Sequence, residues 1–298
     1  MAANPFLASE TRDEEDAALA ASAARGDREA LEALIRRYQA WIYNLAVRMI
    51  LNPQDAQELT QEALLRIITR IAQFEGRSSF RTWAYRIVTN CFLDAKRGQL
   101  EGFITSFDDY GRDLDAIPMA ALTLTADQEP DRALIVEEAK LGCMLGMLLC
   151  LSREQRIVYT LGDIFEAPSK IAAEILGLSA VNFRQKLTRA RRDLISFMQD
   201  KCGLINQANP CRCDRKAAGF RQAGWLEPDR LKFAGRHLQR IKGKVAAESA
   251  PLDDFVEEAY ARLFRDHPMQ EPLAEGGTQA ILSDLLDSPE YKRIFDLP

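Results

Sequence analysis

Histidine is nearly absent from this 298-residue chain, with only His237 and His267. CxxC pairs are missing, and both histidines lie far from Cys213 in sequence, so a cysteine-based redox enzyme lacks its usual parts. No apolar run approaches the roughly 20 residues that span a bilayer, so membrane insertion is not expected. The opening stretch MAANPFLASETRDEEDAALA has no basic start followed by an apolar core, so it does not read as a secretion signal. Alternating strand patterns of useful length are also lacking, which points away from sheets. Six cysteines, Cys91, Cys143, Cys150, Cys202, Cys211 and Cys213, are too scattered for a disulfide framework. A reducing cytoplasm is the expected compartment. The apolar fraction of 47% is that of a globular protein long enough for two or three small domains.

Helical signals fill this frame. Asp27 opens a helix whose Leu31, Leu34, Ile35, Tyr38, Ile42, Leu45 and Ala46 recur at helical spacing. After Asn52-Pro53 a second stripe runs through Ala56, Leu59, Ala63, Leu64, Ile67, Ile68 and Ile71. "EGRSS" breaks it, and Ser79 is placed to cap a helix from Phe80 to Lys96. Residues 27–97 therefore read as a compact helical bundle behind an N-terminal tail, 1–26. Residues 98–131, rich in acids and holding Gly102, Gly111, Pro118 and Pro130, read as a linker or extended segment. Helices resume over 132–200, and 201–298 forms a C-terminal extension with helices expected near Leu252–Phe264 and Thr278–Leu286. The fold class is all-α.

The net charge of −5 conceals strong segregation. Ser179–Leu194 carries Arg184, Lys186, Arg189, Arg191 and Arg192 against Asp193 alone, whereas Gln99–Asp131 opposes eight acids to Arg112. Such blocks suggest basic faces for a polyanion beside acidic segments that avoid or mimic it.

Gly177 ending one helix, a short turn, and Ser179 capping a basic helix follow helix-turn-helix grammar. Phe183, Leu187, Ala190 and Leu194 would face the core, leaving Asn182, Arg184, Gln185, Lys186, Thr188 and Arg189 outward. These include the side chains that make bidentate contacts to purine edges. Arg191 and Arg192 suit phosphate contacts. In "SSFRTWAYRIVTN", Phe80, Trp83, Ala84, Ile87 and Cys91 share a core stripe. Thr82, Tyr85, Arg86, Thr89 and Asn90 fall on other faces, where basic and aromatic groups could hold a strand and trap an unpaired base.

Together these stretches resemble the two domains of an extracytoplasmic-function sigma factor, the promoter-recognition subunit class of bacterial RNA polymerase. "DAQELTQEALLRI" resembles the helix that docks on polymerase, which implies that role for Asp55, Gln57, Glu58, Gln61 and Glu62. "FEGRSSFRTWAYRIVTNCFLDAKR" is similar to the segment that recognises and melts the −10 element. The resemblance makes Gly76, Arg77, Ser78 and Ser79 the base-capturing loop and Asn90 a reader of that element's upstream part. "LSREQRIVYTLGDIF" with "AAEILGLSAVNFRQKLTRARRDL" resembles the −35-reading domain. Gln99–Asp131 would then thread toward the catalytic cleft. The family usually has Glu-Glu-Ile before "AEILG", and this chain has Lys170-Ile171-Ala172 instead.

The resemblance implies core RNA polymerase, double-stranded promoter DNA and the melted non-template strand as partners, with an anti-sigma factor as a further class. It implies no catalytic activity and no required cofactor. The rival reading is a helix-turn-helix regulator with a metal- or redox-sensing C-terminal segment. Cys202, Cys211 and Cys213 offer three thiolates to zinc or another thiophilic metal, with His237 or His267 as a fourth ligand. Arg212, Arg215 and Lys216 are expected to lower their pKa values. The extension's halves are complementary: Lys201–Lys244 holds eleven cations against three acids, and Val245–Pro298 twelve acids against four cations. The acidic half is expected to fold back on the basic half or on the −35-reading domain.

Overall fold

Helix α1 spans Glu10–Ala23, and α2, Arg28–Ile50, begins where the Asp27 carboxylate accepts the Ala30 N–H at 3.0 Å. Leu51, in the left-handed region, ends α2, and the Asn52 side chain with Pro53 at the first position opens α3, Pro53–Arg70. Ser79 caps α4, Phe80–Asp94, by accepting the Thr82 N–H. The other α-helices among the described residues are α5 (Gln99–Phe103), α6 (Phe107–Ala116), α7 (Arg132–Leu149), α8 (Arg153–Tyr159), α9 (Ser169–Ile175), α10 (Ala180–Lys201), α11 (Cys213–Gln222) and α12 (Pro289–Ile294). This computed structural model describes residues 4–7, 10–95, 99–104, 106–126, 128–234, 281, 284–286 and 288–294. Among them there is no strand, and no helix is long and apolar enough to cross a membrane.

The chain forms two compact units that cut across the segments read from sequence. The first comprises Met1–Gln99, Arg153–Thr188 and Met269–Pro298; the second comprises Leu100–Ser152 and Arg189–Pro268. Helix α10 contributes to both.

In the first unit, α1 packs on α2 and α4. The stretch set apart as a tail is thus part of a core. Asp16, almost wholly buried, accepts hydrogen bonds from Arg37 and the Tyr38 hydroxyl. Buried Arg81 on α4 reaches the Pro5 carbonyl at 2.8 Å and the Asp13 carboxylate at 2.9 Å. The segment 153–188 is tied to the same core. Buried Arg156 donates to the Met49 carbonyl, and Arg153 to those of Phe92, Leu93 and Ala95 at the end of α4. Phe165 receives the Trp41 ring edge-on at 4.9 Å, with the Arg48 guanidinium 5.6 Å from its centre. Burial lowers the Arg48 pKa to about 10, which leaves it cationic at neutral pH.

The second unit corrects the expectation of an extended linker. Ser106 caps α6 by accepting the Asp109 N–H, and Tyr110 and Leu114 give α6 a buried face. The Tyr110 hydroxyl donates to the Cys143 carbonyl at 3.0 Å, in a gap left by Gly146. The acidic segment is also bound to the extension. The buried Lys216 ammonium donates to the Leu114 and Ile117 carbonyls, and Arg221 to that of Thr123 at 2.6 Å. Glu138 on α7 accepts the N–H groups of Lys232, Phe233 and Ala234 at 2.7–2.8 Å. Periodicity is short over 99–131 because these contacts, made with residues about a hundred positions away, supply what the local pattern does not.

Candidate nucleic-acid and polymerase interface

Helix α10 matches its expected stripe. Ser179 Oγ accepts the Asn182 N–H at 3.1 Å, and Phe183, Leu187, Ala190 and Leu194 are buried. Asn182, Arg184, Gln185, Thr188, Arg189 and Arg192 are exposed, and Arg191 is half-buried. Lys186 is the exception. Its ammonium lies 2.8 Å from Glu154 and the side chain is half-buried, so it points along the flank toward α8 and not outward. The basic face therefore rests on Arg184, Arg189 and Arg192, with the exposed amides of Asn182 and Gln185 beside them. Gly177 at φ +65 makes the turn between α9 and α10, a conformation that L side chains rarely adopt. Between α8 and α9 a π-helical turn, Thr160–Ile164, brings Gly162 against Phe183 and Leu187. The departure from the family pattern is absorbed locally, with Lys170 exposed and Ala172 buried in the support helix.

The loop before α4 turns at Gly76, φ +70. Arg77 is exposed and paired with Glu75, while Ser78 and Ser79 are half-buried. Phe74, Phe80 and Trp83 form a ring cluster beside it with centroids 5.5–5.7 Å apart. Trp83 is half-exposed, so it flanks the loop instead of filling the core as its stripe suggested. Arg86 and Asn90 are exposed on α4, and Arg86 donates to the Glu174 carbonyl of α9 at 2.9 Å.

Tyr85 overturns its assignment to this face. It is fully buried, 4.7 Å from Phe6 and 6.3 Å from Tyr38 between ring centres, because the short N-terminal turn Pro5–Leu7 covers that side of α4. No strand can reach it. Thr82 and Thr89 are likewise buried.

On α3 the apolar stripe is buried and the polar residues stand off it. Glu58 and Glu62 are exposed, while Asp55, Gln57 and Gln61 are half-buried. Glu62 pairs with Arg66 at 2.5 Å. Gln61 is already engaged, its side-chain N–H donating to the Asp284 carboxylate at 3.1 Å.

The cysteines of the extension lie in the second unit. Cys202 follows α10, Cys213 starts α11, and α11 packs on α7, which carries Cys143. Gly203 abuts Cys211, where a Cβ would sit 2.0 Å from the Cys211 carbonyl oxygen. Among the described residues no group of three or more His, Cys, Asp or Glu stands in an arrangement that could hold a metal ion, and His237 and His267 lie outside those residues. The expected lowering of thiol pKa values is reversed. Burial raises Cys202 and Cys211 and pushes Cys213 up to about 12, with the neighbouring thiols adding to the rise at Cys211 and Cys213. The cations pull the other way but are outweighed: Arg212 lowers Cys202 and Cys211 and Lys216 lowers Cys211, while Arg212 bonds the Asn209, Cys211 and Gln207 carbonyls and Lys216 those of Leu114 and Ile117.

Comparison with known proteins agrees with this geometry. The Sigma-70 region 2 model matches residues 34–100, and the Sigma-70, region 4 model matches residues 141–194. The chain is 28% identical over 181 residues to the ECF RNA polymerase sigma factor SigE of Mycolicibacterium smegmatis, covering 59% of this chain and 65% of that one. It is also 28% identical over 181 residues to ECF RNA polymerase sigma factor SigW of Bacillus subtilis, covering 59% of this chain and 92% of that protein. The solved structure of CnrH in complex with the cytosolic domain of CnrY aligns with 62% of this chain and 98% of its own, at 21% identity and a TM-score of 0.45. With both region models matched in order, and with the Gly76 loop, α3 and the α9–α10 helix-turn-helix formed by the residues those models span, the chain belongs to the sigma-70 family as an extracytoplasmic-function sigma factor.

Proposed function

We propose that this chain directs core RNA polymerase to specific promoters and assists their melting, in the cytoplasm, with no catalytic step of its own. The carrying observation is α10, which buries one apolar stripe and turns Asn182, Arg184, Gln185 and Arg189 to solvent. That face fits a major groove at the −35 element, with Arg192 available to a phosphate. The Gly76–Ser79 loop and its ring cluster would receive a base flipped from the non-template strand, with Asn90 reading beside it. Glu58 and Glu62 would meet polymerase, and an anti-sigma factor would restrain the same surfaces.

Run-off transcription with core polymerase and genomic fragments tests the whole reading. Discrete transcripts should appear with the wild-type chain and vanish with Glu58→Lys/Glu62→Lys, whose circular dichroism should remain wild-type. Fragment binding without any polymerase-dependent transcript would overturn the proposal in favour of a plain repressor.

A further inference from the structure

The described part of the acidic tail lies in the first unit, against α3. Sequence charge pointed to the basic half of the extension or to the −35-reading domain, and the observed contact has a different basis. Ile281 and Leu285, one helical turn apart, are 0% and 2% exposed, so this turn has an apolar side that is shielded from water. Asp284 lies between them and accepts the Gln61 hydrogen bond. Ser288 precedes α12, its carbonyl accepting the Lys292 N–H at 3.0 Å, and α12 packs on α3. The contact with α3 is made by α12 and by the neutral Gln61 amide bonded to Asp284, on a helix whose own exposed side carries Glu58 and Glu62. An acidic tail on an acidic face gains little from charge, which keeps the contact displaceable.

We propose that the segment Ile281–Ile294 is a built-in competitor for the polymerase-docking face of α3, holding its Gln61 side until core polymerase displaces it. The proposal rests on the docking role given to α3 above. A chain whose competent form is only a fraction of the population binds with affinity reduced by that fraction. A tail seated nine-tenths of the time therefore weakens polymerase binding about tenfold.

The experiment measures core polymerase affinity of the full chain, of Ile281→Asp/Leu285→Asp, and of a chain ended before residue 281. Glu58→Lys/Glu62→Lys serves as the docking control. Expected is a tightening of about tenfold for both tail variants and a loss for the control. A synthetic peptide of residues 278–298 should reverse the gain in the shortened chain. In parallel, Gln61→Cys should react faster with a maleimide when the tail is altered, which reports coverage without polymerase. Tail variants that bind no tighter than wild type, with unchanged labelling, would overturn the proposal. A control that binds normally would instead overturn the docking role of α3, whatever the labelling shows.

Discussion

Gly162 sits where the π-helical turn meets α10. A Cβ built there would lie 2.8 Å from Leu187 Cδ2, 3.1 Å from Leu187 Cδ1 and 3.2 Å from Phe183 Cζ. Gly162→Ala therefore overpacks the seam that sets the angle of α10. Overpacking of this kind costs about 1–3 kcal/mol, and the end of a leucine side chain yields more easily than backbone, so about 1–2 kcal/mol is expected. Leu187→Ala alone removes the obstructing methyls and should cost about 2–5 kcal/mol through the cavity. In the double variant the new methyl no longer meets Leu187, so its cost should fall short of the sum by about 1 kcal/mol. Urea unfolding followed by circular dichroism gives the cycle, and fluorescence anisotropy on a −35 duplex gives its functional counterpart. Gly162→Ala should weaken duplex binding while sparing polymerase association, since α3 is untouched. Strict additivity, or a Gly162→Ala protein as stable as wild type, would refute the seam as described.

Arg184→Ala should relax promoter selectivity at one base position, at about 1–3 kcal/mol if bidentate, whereas Arg192→Ala should weaken all duplexes alike and flatten the salt dependence; identical effects in a competition assay would reverse the role assignment. Asn90→Ala should reduce open complex on linear templates, and a pre-melted bubble should restore part of the loss, as read by permanganate footprinting. Tyr85→Phe should leave melting unchanged and be neutral or stabilising by up to about 1 kcal/mol, because the Tyr85 hydroxyl is buried without a hydrogen-bond partner; a melting defect would contradict its burial. Cys213, pushed up to about 12, should be alkylated at pH 8 roughly a hundredfold more slowly than a free thiol, since the loss of thiolate outweighs its greater nucleophilicity, as read by mass spectrometry; fast labelling would mean the site is open.

Local chemistry was enough to specify α2, α4 and α10 and their caps, though not α1 or α6, which fell in the stretches read as a tail and a linker. Asp27, Ser79 and Ser179 each accept the N–H three residues on, because a cap is decided within one turn of chain. The 4-3-4 stripe of α10 was likewise legible, since a helix exposes its burial pattern directly as spacing. Tertiary structure alone decided which remaining faces were left open. Tyr85 looked available until Phe6, 79 positions earlier, covered it, and Lys186 looked outward until Glu154 captured it. Residues 99–131 looked extended until Lys216 and Arg221 capped their carbonyls. The thiols beside Arg212 looked activated, but burial outweighed the cations. The tail's net charge suggested a basic partner, but Asp284 accepts the Gln61 amide and α12 packs on α3, while Ile281 and Leu285 are buried. Periodicity reports whether a side chain can be buried along its own helix, while coverage by a distant segment depends on where the chain returns in space.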